Sequence, residues 1–185
     1  MDRAPKLPSL QAQRLQLRWL EDADIPDLYA IFSNPEVARY WSKPPMTEPQ
    51  QASDLLASIR TQFASGSLFQ WGLATLGHDR IVGTCTLASI DIQNRRAEIG
   101  YALNREFWGQ GLMLEALQTL LQHAFGAMDL NRVEADIDPR NESSIQLVER
   151  LGFQREGYLR QRWIVAGEIC DTVLYGLLRA DWSGV

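Results

Sequence analysis

Apolar positions recur along this chain with two periods, and the change from one to the other marks its elements. Leu15, Leu17 and Trp19 alternate with polar neighbours, which predicts a strand over residues 14–20. Ile25, Leu28, Ile31 and Phe32 then fall at helical spacing, predicting a helix over 23–33 with Pro26 in its first turn. Residues 35–41 read as a second short helical piece. Thr47 followed by Gln50 predicts a capping box that opens a helix running to about residue 63, and Ser65-Gly66-Ser67 stops it. Strands follow at 68–75, 81–90 and 97–103, the first two joined by the turn signal Gly77-His78-Asp79. Residues 111–128 carry the clearest helical face, with Met113, Ala116, Leu117, Leu120, Leu121, Ala124 and Phe125 on one side. A strand at 133–137, a short helix at 141–150 stopped by Gly152, and strands at 153–160 and 169–178 complete the pattern. Residues 1–12 read as a flexible tail and 13–185 as a single domain. The order predicts an α+β fold with a mixed, mostly antiparallel sheet of about six to seven strands flanked by helices.

Composition narrows the class without naming a function. The 185 residues are 45% apolar and 22% charged, as in an ordinary globular chain. A formal net charge of −5 lacks the basic balance that nucleic-acid binding needs, so no nucleic-acid partner is expected. No apolar run approaches the roughly 20 residues of a membrane span, and the first eleven residues lack the apolar core of a secretory signal. Cys85 and Cys170 match no metal spacing, and each sits in an apolar strand-like run, which predicts small buried side chains. These features point to a cytoplasmic protein that does not rely on disulfides. His78 and His123 have no partner in sequence. Six tryptophans draw attention to aromatic packing or a ligand groove: Trp41 and Trp71 fit an acceptor wall or the core.

Three segments carry candidate chemistry. Trp108-Gly109-Gln110-Gly111-Leu112-Met113 lies between a strand and the strongest helix. Glycines there let the backbone approach a ligand, and free amides at a helix start suit a phosphate. A simple tight turn explains the same residues, and the segment is neither a Walker loop nor a dinucleotide fingerprint. Asp138-Pro139-Arg140-Asn141-Glu142-Ser143-Ser144 joins a strand to a helix, and helix capping by Asn141 accounts for it without a function. In Ala97-Glu98-Ile99-Gly100-Tyr101-Ala102-Leu103, Glu98 shares its face with the small Gly100 and Ala102, which leaves room for a ligand. Asp91, just before that strand, is a further candidate acceptor contact.

Taken together and in this order, these segments resemble the GNAT superfamily of N-acetyltransferases in its RimJ/RimL branch. The opening from Leu17 to Trp41, the runs IVGTCTL, AEIGYAL and FWGQGLMLEAL, the stretch from Leu130 to Phe153, and REGYLR carry the resemblance across nearly the whole chain. It implies a GNAT (acyl-CoA N-acyltransferase) fold and acetyl-CoA as cosubstrate, with no metal. It also implies roles for individual residues. The backbone of Tyr101, Ala102 and Leu103 would pair with the pantetheine arm. The amides of Gly109, Gln110, Gly111, Leu112 and Met113 would hold the pyrophosphate, and Asn141 would bond the pantetheine. Glu98 would be the general base and Ser144 the general acid beside the sulfur. A strand amide near Ala102 would meet the oxyanion.

Two departures stand out. Glu106 occupies the place where the superfamily's phosphate loop usually begins with Gln or Arg, so its carboxylate is expected to point away. Trp163 stands where some ribosomal-protein acetyltransferases carry a water-activating Glu. The implied reaction is direct acetyl transfer to a primary amine, with a protein N-terminal α-amine favoured. The alternatives are a small amine (polyamine, amino sugar or amino-acid-like toxin) and a non-catalytic acetyl-CoA-binding module. Neither the acceptor nor the choice between monomer and homodimer is legible in the sequence.

Overall fold

The computed structural model describes residues 6–184. Leu10–Gln11 (β1), Leu15–Arg18 (β2), Leu68–Thr75 (β3), Ile81–Asp91 (β4), Arg96–Leu103 (β5), Arg132–Ile137 (β6), Gln154–Val165 (β7) and Glu168–Leu178 (β8) form one sheet. Its order is β1-β2-β3-β4-β5-β6-β8-β7. The helices are Ile25–Phe32 (α1), Pro35–Ala38 (α2), Gln50–Ser65 (α3), Leu112–Phe125 (α4) and Glu142–Arg150 (α5). All neighbours pair antiparallel except β5 and β6, which α4 connects as a parallel crossover.

The eighth strand comes from the segment that the sequence pattern reads as a tail. Residues 1–5 lie outside the described residues, but Leu10 and Gln11 pair with Leu17 and Gln16, and Leu7 is buried. The buried indole of Trp71 donates to the Pro8 carbonyl at 2.9 Å, so Trp71 belongs to the core and to no acceptor groove. A two-residue strand has no period to detect, which is why this segment reads as a tail. The capping box also shifts. Helix α3 starts after Pro49, and it is Gln51, not Gln50, whose Oε1 accepts from the Thr47 and Glu48 amides at 2.7 and 3.0 Å. The last hairpin is longer than expected, because Ala166 and Gly167 both take positive φ (49° and 87°) and make a tight turn that pairs Val165 with Glu168.

Two cores sandwich the sheet. On one face α4 and α5 cover Ala97, Ile99, Val133, Ala135 and Ile137. On the other, α1 and α3 cover Ile81 and Ala102 with Leu28, Ile31, Leu56 and Ile59. Strand alternation then assigns the remaining positions. Tyr101 lies on the α4/α5 face, and Glu98, Glu134 and Asp136 lie on the α1/α3 face.

The feature that matters most is where pairing stops. β5 and β6 are in register only at Arg96/Arg132, Ala97/Val133 and Glu98/Glu134. Beyond Glu98, β5 continues along β4, and beyond Glu134, β6 continues along β8. The two strands therefore part into a wedge that opens through the sheet between its two faces.

Candidate active site

On the α4/α5 face, the loop after β5 forms one 3-10 turn, Arg105–Phe107, capped by the Asn104 side chain. Trp108 then anchors the loop by donating its indole N–H to the Leu103 carbonyl at 2.7 Å, with the Arg105 guanidinium 4.8 Å over its ring. Gly109 and Gly111 both sit at φ +73°, in the left-handed region that side chains avoid. Among the described residues, the first amide entering α4 to find a backbone acceptor is Glu115, on Gly111 O at 3.2 Å. The amides from Gly109 to Leu114 are left to a ligand or solvent. A Cβ on Gly109 would meet nothing within 4 Å. This open, donor-rich cradle at the positive end of a helix dipole fits a pyrophosphate.

The wedge edge of β5 can be read atom by atom. Asn104 N–H donates to Val82 O at 2.8 Å, so the backbone groups of Asn104, and by alternation those of Ala102, face β4. Those of Ile99, Tyr101 and Leu103 face away from β4; the last parallel pair takes the Ile99 N–H and the Trp108 indole takes the Leu103 carbonyl, so the Tyr101 backbone and the Leu103 N–H are the groups open to the wedge. The expectation that Ala102 offers its backbone to a ligand is thereby corrected: Ala102 pairs with Thr84, and its neighbours carry the free edge.

Across the wedge, Asn141 caps α5 as its residue type predicts. Its Oδ1 accepts from Ser144 N–H at 3.2 Å and from the Ser143 hydroxyl at 3.0 Å. Among the described residues its amide N–H donors have no protein partner. The preceding loop is held by Arg140, which bonds Asp138 through its backbone and side chain. Ser144 Oγ lies 2.5 Å from the Tyr101 hydroxyl, which joins residues 43 apart in sequence. Burial pushes the Tyr101 hydroxyl up to about 12 against the opposing Ser144 hydrogen bond, so Tyr101 stays protonated and able to donate at neutral pH.

On the opposite face stands Glu98, half-buried beside Gly100. Burial, then the nearby charges of Asp136 and Glu134, hold its carboxyl above the usual carboxylate range; Arg162 and Arg96 oppose them. Glu134 is occupied by Arg96 at 2.8 Å and Arg132 at 2.7 Å. Asp136 accepts the Trp163 indole N–H at 3.1 and 3.2 Å on its two oxygens and also the hydroxyl of buried Thr172. Trp163 is thus a donor that orients a second carboxylate near Glu98.

Asp136 and the Tyr101 hydroxyl are the site groups that the sequence reading passed over. The signal for Asp136 was there: Arg132, Glu134 and Asp136 alternate on a strand that the topology makes central. Asp91 is explained without a ligand, since it accepts from the backbone and side chain of Asn94 in the β4–β5 turn. Cys85 is fully buried, and burial pushes its thiol up; Cys170 is only partly covered and meets Arg140 at 3.5 Å. Among the described residues, no group of three His, Cys, Asp or Glu side chains is placed to hold a metal ion, and no helix is long and apolar enough to cross a membrane.

The site's geometry is thus a split parallel strand pair with a donor-rich glycine loop on one face and an elevated carboxylate on the other. Residues 14–154 match the family model described as an acetyltransferase (GNAT) domain, and the chain belongs to this family of N-acetyltransferases. It is 38% identical over 180 residues to an uncharacterized N-acetyltransferase, p20, of Bacillus licheniformis, covering 96% of this chain and all of that one. It is 29% identical to the [ribosomal protein uS5]-alanine N-acetyltransferase of Escherichia coli, over 94% and 92% of the two chains. Among solved structures, RimL, a ribosomal L7/L12 α-N-protein acetyltransferase in complex with coenzyme A, superposes with a TM-score of 0.82 at 22% identity, over 92% of this chain and 98% of that one. The structural match shows the fold, and the sequence relative that acts on uS5 supports the RimJ/RimL-like branch.

Proposed function

We propose that this enzyme acetylates a protein N-terminal α-amine, taking the acetyl group from acetyl-CoA across the β5–β6 wedge. The observation that carries the reading is the division of labour between the two faces. The cradle and the hydroxyl pair lie on one side, and the elevated Glu98 carboxyl lies on the other.

In this reading the loop amides from Gly109 to Met113 take the pyrophosphate. The wedge-facing backbone of Tyr101 and Leu103, with the free amide of Asn141, lines the pantetheine arm. Glu98 accepts a proton from the incoming ammonium, directly or through a water. The freed amine attacks the thioester carbon, and the wedge-facing amide of Tyr101 supplies a donor for the oxyanion. The C–S bond then breaks, Ser144 gives a proton to the departing sulfur, backed by the Tyr101 O–H, and the second proton of the attacking nitrogen is lost to solvent as the amide forms while solvent restores the Ser144 hydroxyl. Neutralising an α-amine at pH 7 costs about 1 kcal/mol, against roughly 4.6 kcal/mol for a lysine side chain. A carboxylate is a weak base beside either amine, so Glu98 suits the smaller task. The E. coli relative named for alanine N-acetylation supports the same choice.

The test is acetyl-CoA with a panel of acceptors, scored by mass shift: peptides with free and blocked N-termini, a polyamine and an amino sugar. The expected result is a single +42 Da adduct, as acetyl for hydrogen requires, on free N-termini alone. Modification of the polyamine or sugar in preference would move the acceptor to the small-amine class. In the same experiment CoA at 100 times its Kd should stabilise the fold by about 2.7 kcal/mol and raise the melting temperature. No shift and no binding heat at millimolar CoA would remove the reading.

The hydroxyl pair has its own prediction. Ser144→Ala should lower kcat roughly 10- to 100-fold with little change in acetyl-CoA affinity, since its hydrogen bond matters when charge develops on sulfur. Tyr101→Phe should follow in the same direction and more weakly. Loss of affinity with unchanged turnover would assign the pair to cofactor binding instead.

A further inference from the structure

Glycine makes a loop permissive, and a permissive loop must be held if its amides are to converge on a ligand. The Gly109–Gly111 loop is held from a segment about a hundred residues away. Arg14, immediately before β2, donates its backbone N–H to Glu115 Oε1 at 2.6 Å and its Nε to Glu115 Oε2 at 2.7 Å. That double attachment to the first turn of α4 fixes the guanidinium. Its Nη1 then donates to the Gln110 carbonyl at 3.0 Å, and Nη2 stands 3.7 Å from where a Cβ on Gly111 would be.

The consequence follows from peptide geometry. A trans peptide unit points its C=O and its N–H in opposite directions. With the Gln110 carbonyl drawn to Arg14, the Gly111 N–H of the same unit is turned the other way. We infer that Arg14 is a positioning residue for acetyl-CoA: braced on Glu115, it holds the Gln110 carbonyl back and presents the Gly111 amide to the pyrophosphate. The inference rests on the proposed reading of this loop as the phosphate cradle.

A structural role alone is the competing account, and energetics separate the two. The Arg14 side chain is 48% exposed, and an ion pair at such a site adds little to stability, so the protein should fold without it. Its effect should appear only with ligands that reach the loop.

The experiment compares wild type with Arg14→Gln by calorimetric titration with CoA and by steady-state kinetics with two acetyl donors. Acetyl-CoA carries the pyrophosphate; S-acetylpantetheine does not. The expected result is an increase of about 10-fold in Kd for CoA and in KM for acetyl-CoA, the scale of one charge-assisted hydrogen bond. Turnover at saturating acetyl-CoA, and kcat/KM with S-acetylpantetheine, should change far less. Arg14→Lys keeps the charge but not the fork and should recover only part of the affinity. Unchanged CoA affinity in folded Arg14→Gln overturns the inference, and so does an equal loss with both donors. Wild type serves as the separate control: if it prefers acetyl-CoA to S-acetylpantetheine by no measurable factor, the cradle reading itself has failed.

Discussion

Gly111→Glu should raise the Kd for CoA by at least about 100-fold, equivalent to roughly 2.7 kcal/mol, in a protein that still folds. Two effects act together. Gly111 sits at φ +73°, ψ 7°, as the residue before α4, so any side chain there strains the backbone by about 1–2 kcal/mol. A stable domain absorbs such a cost, because its margin is about 5–15 kcal/mol. The larger effect is on the ligand. A carboxylate at the mouth of the cradle opposes the pyrophosphate charge, and it stands near the Arg14 guanidinium, which it can draw off the Gln110 carbonyl. Gly109→Ala is the milder companion, since a Cβ there meets nothing within 4 Å and only the backbone preference changes. Calorimetric titration gives the affinities, and circular dichroism with a melting curve checks the fold. A folded Gly111→Glu protein that binds CoA as wild type does would reduce this loop to a tight turn.

The open glycine loop before α4 was legible in the sequence because its signal is local. Two glycines between a strand and a strongly periodic helix define it before any tertiary contact exists. The helices and long strands were legible for the same reason, their periods being written into consecutive residues. What escaped was assembled from distant residues. β1 is too short to have a period, and only its pairing with Leu17 and Gln16 makes it a strand. The Arg14–Gln110 contact joins residues 96 apart, and nothing in the motif around Gly109 announces it. The Tyr101–Ser144 pair depends on α5 packing over β5, so the sequence could offer Ser144 only through family resemblance. The wedge is a matter of register: three paired positions and then none. Hydrophobic pattern cannot foretell where a parallel pair will part.

Glu98→Gln should lower turnover at pH 7 by about 100-fold or more on the true acceptor, the usual scale for a positioned base. Wild-type activity should fall as pH drops through the Glu98 pKa, because only the ionised carboxylate can take the proton. Burial, Asp136 and Glu134 raise that pKa, which places this acid limb above the ordinary carboxylate range. In the variant the limb should be replaced by the titration of the amine itself, so the deficit narrows as pH approaches about 8. The competing view makes Glu98 a structural partner of Arg95 or Arg96. The structure gives those cations to others: Arg95 meets Asp129 at 2.8 Å, and Arg96 meets Glu134 at 2.8 Å and Asp91 at 3.6 Å. Among the described residues no cation lies within ion-pair distance of Glu98. Stability supplies an independent check. A carboxyl whose folded pKa is raised favours the native state at low pH, and that contribution is lost as pH rises through the folded value. At pH 7 and above, Glu98→Gln should therefore melt no lower than wild type, while removal of a structural ion pair would lower it. Variant and wild-type pH–rate curves that overlay from about pH 6 to 9, on either side of the α-amine pKa, would take Glu98 out of the mechanism.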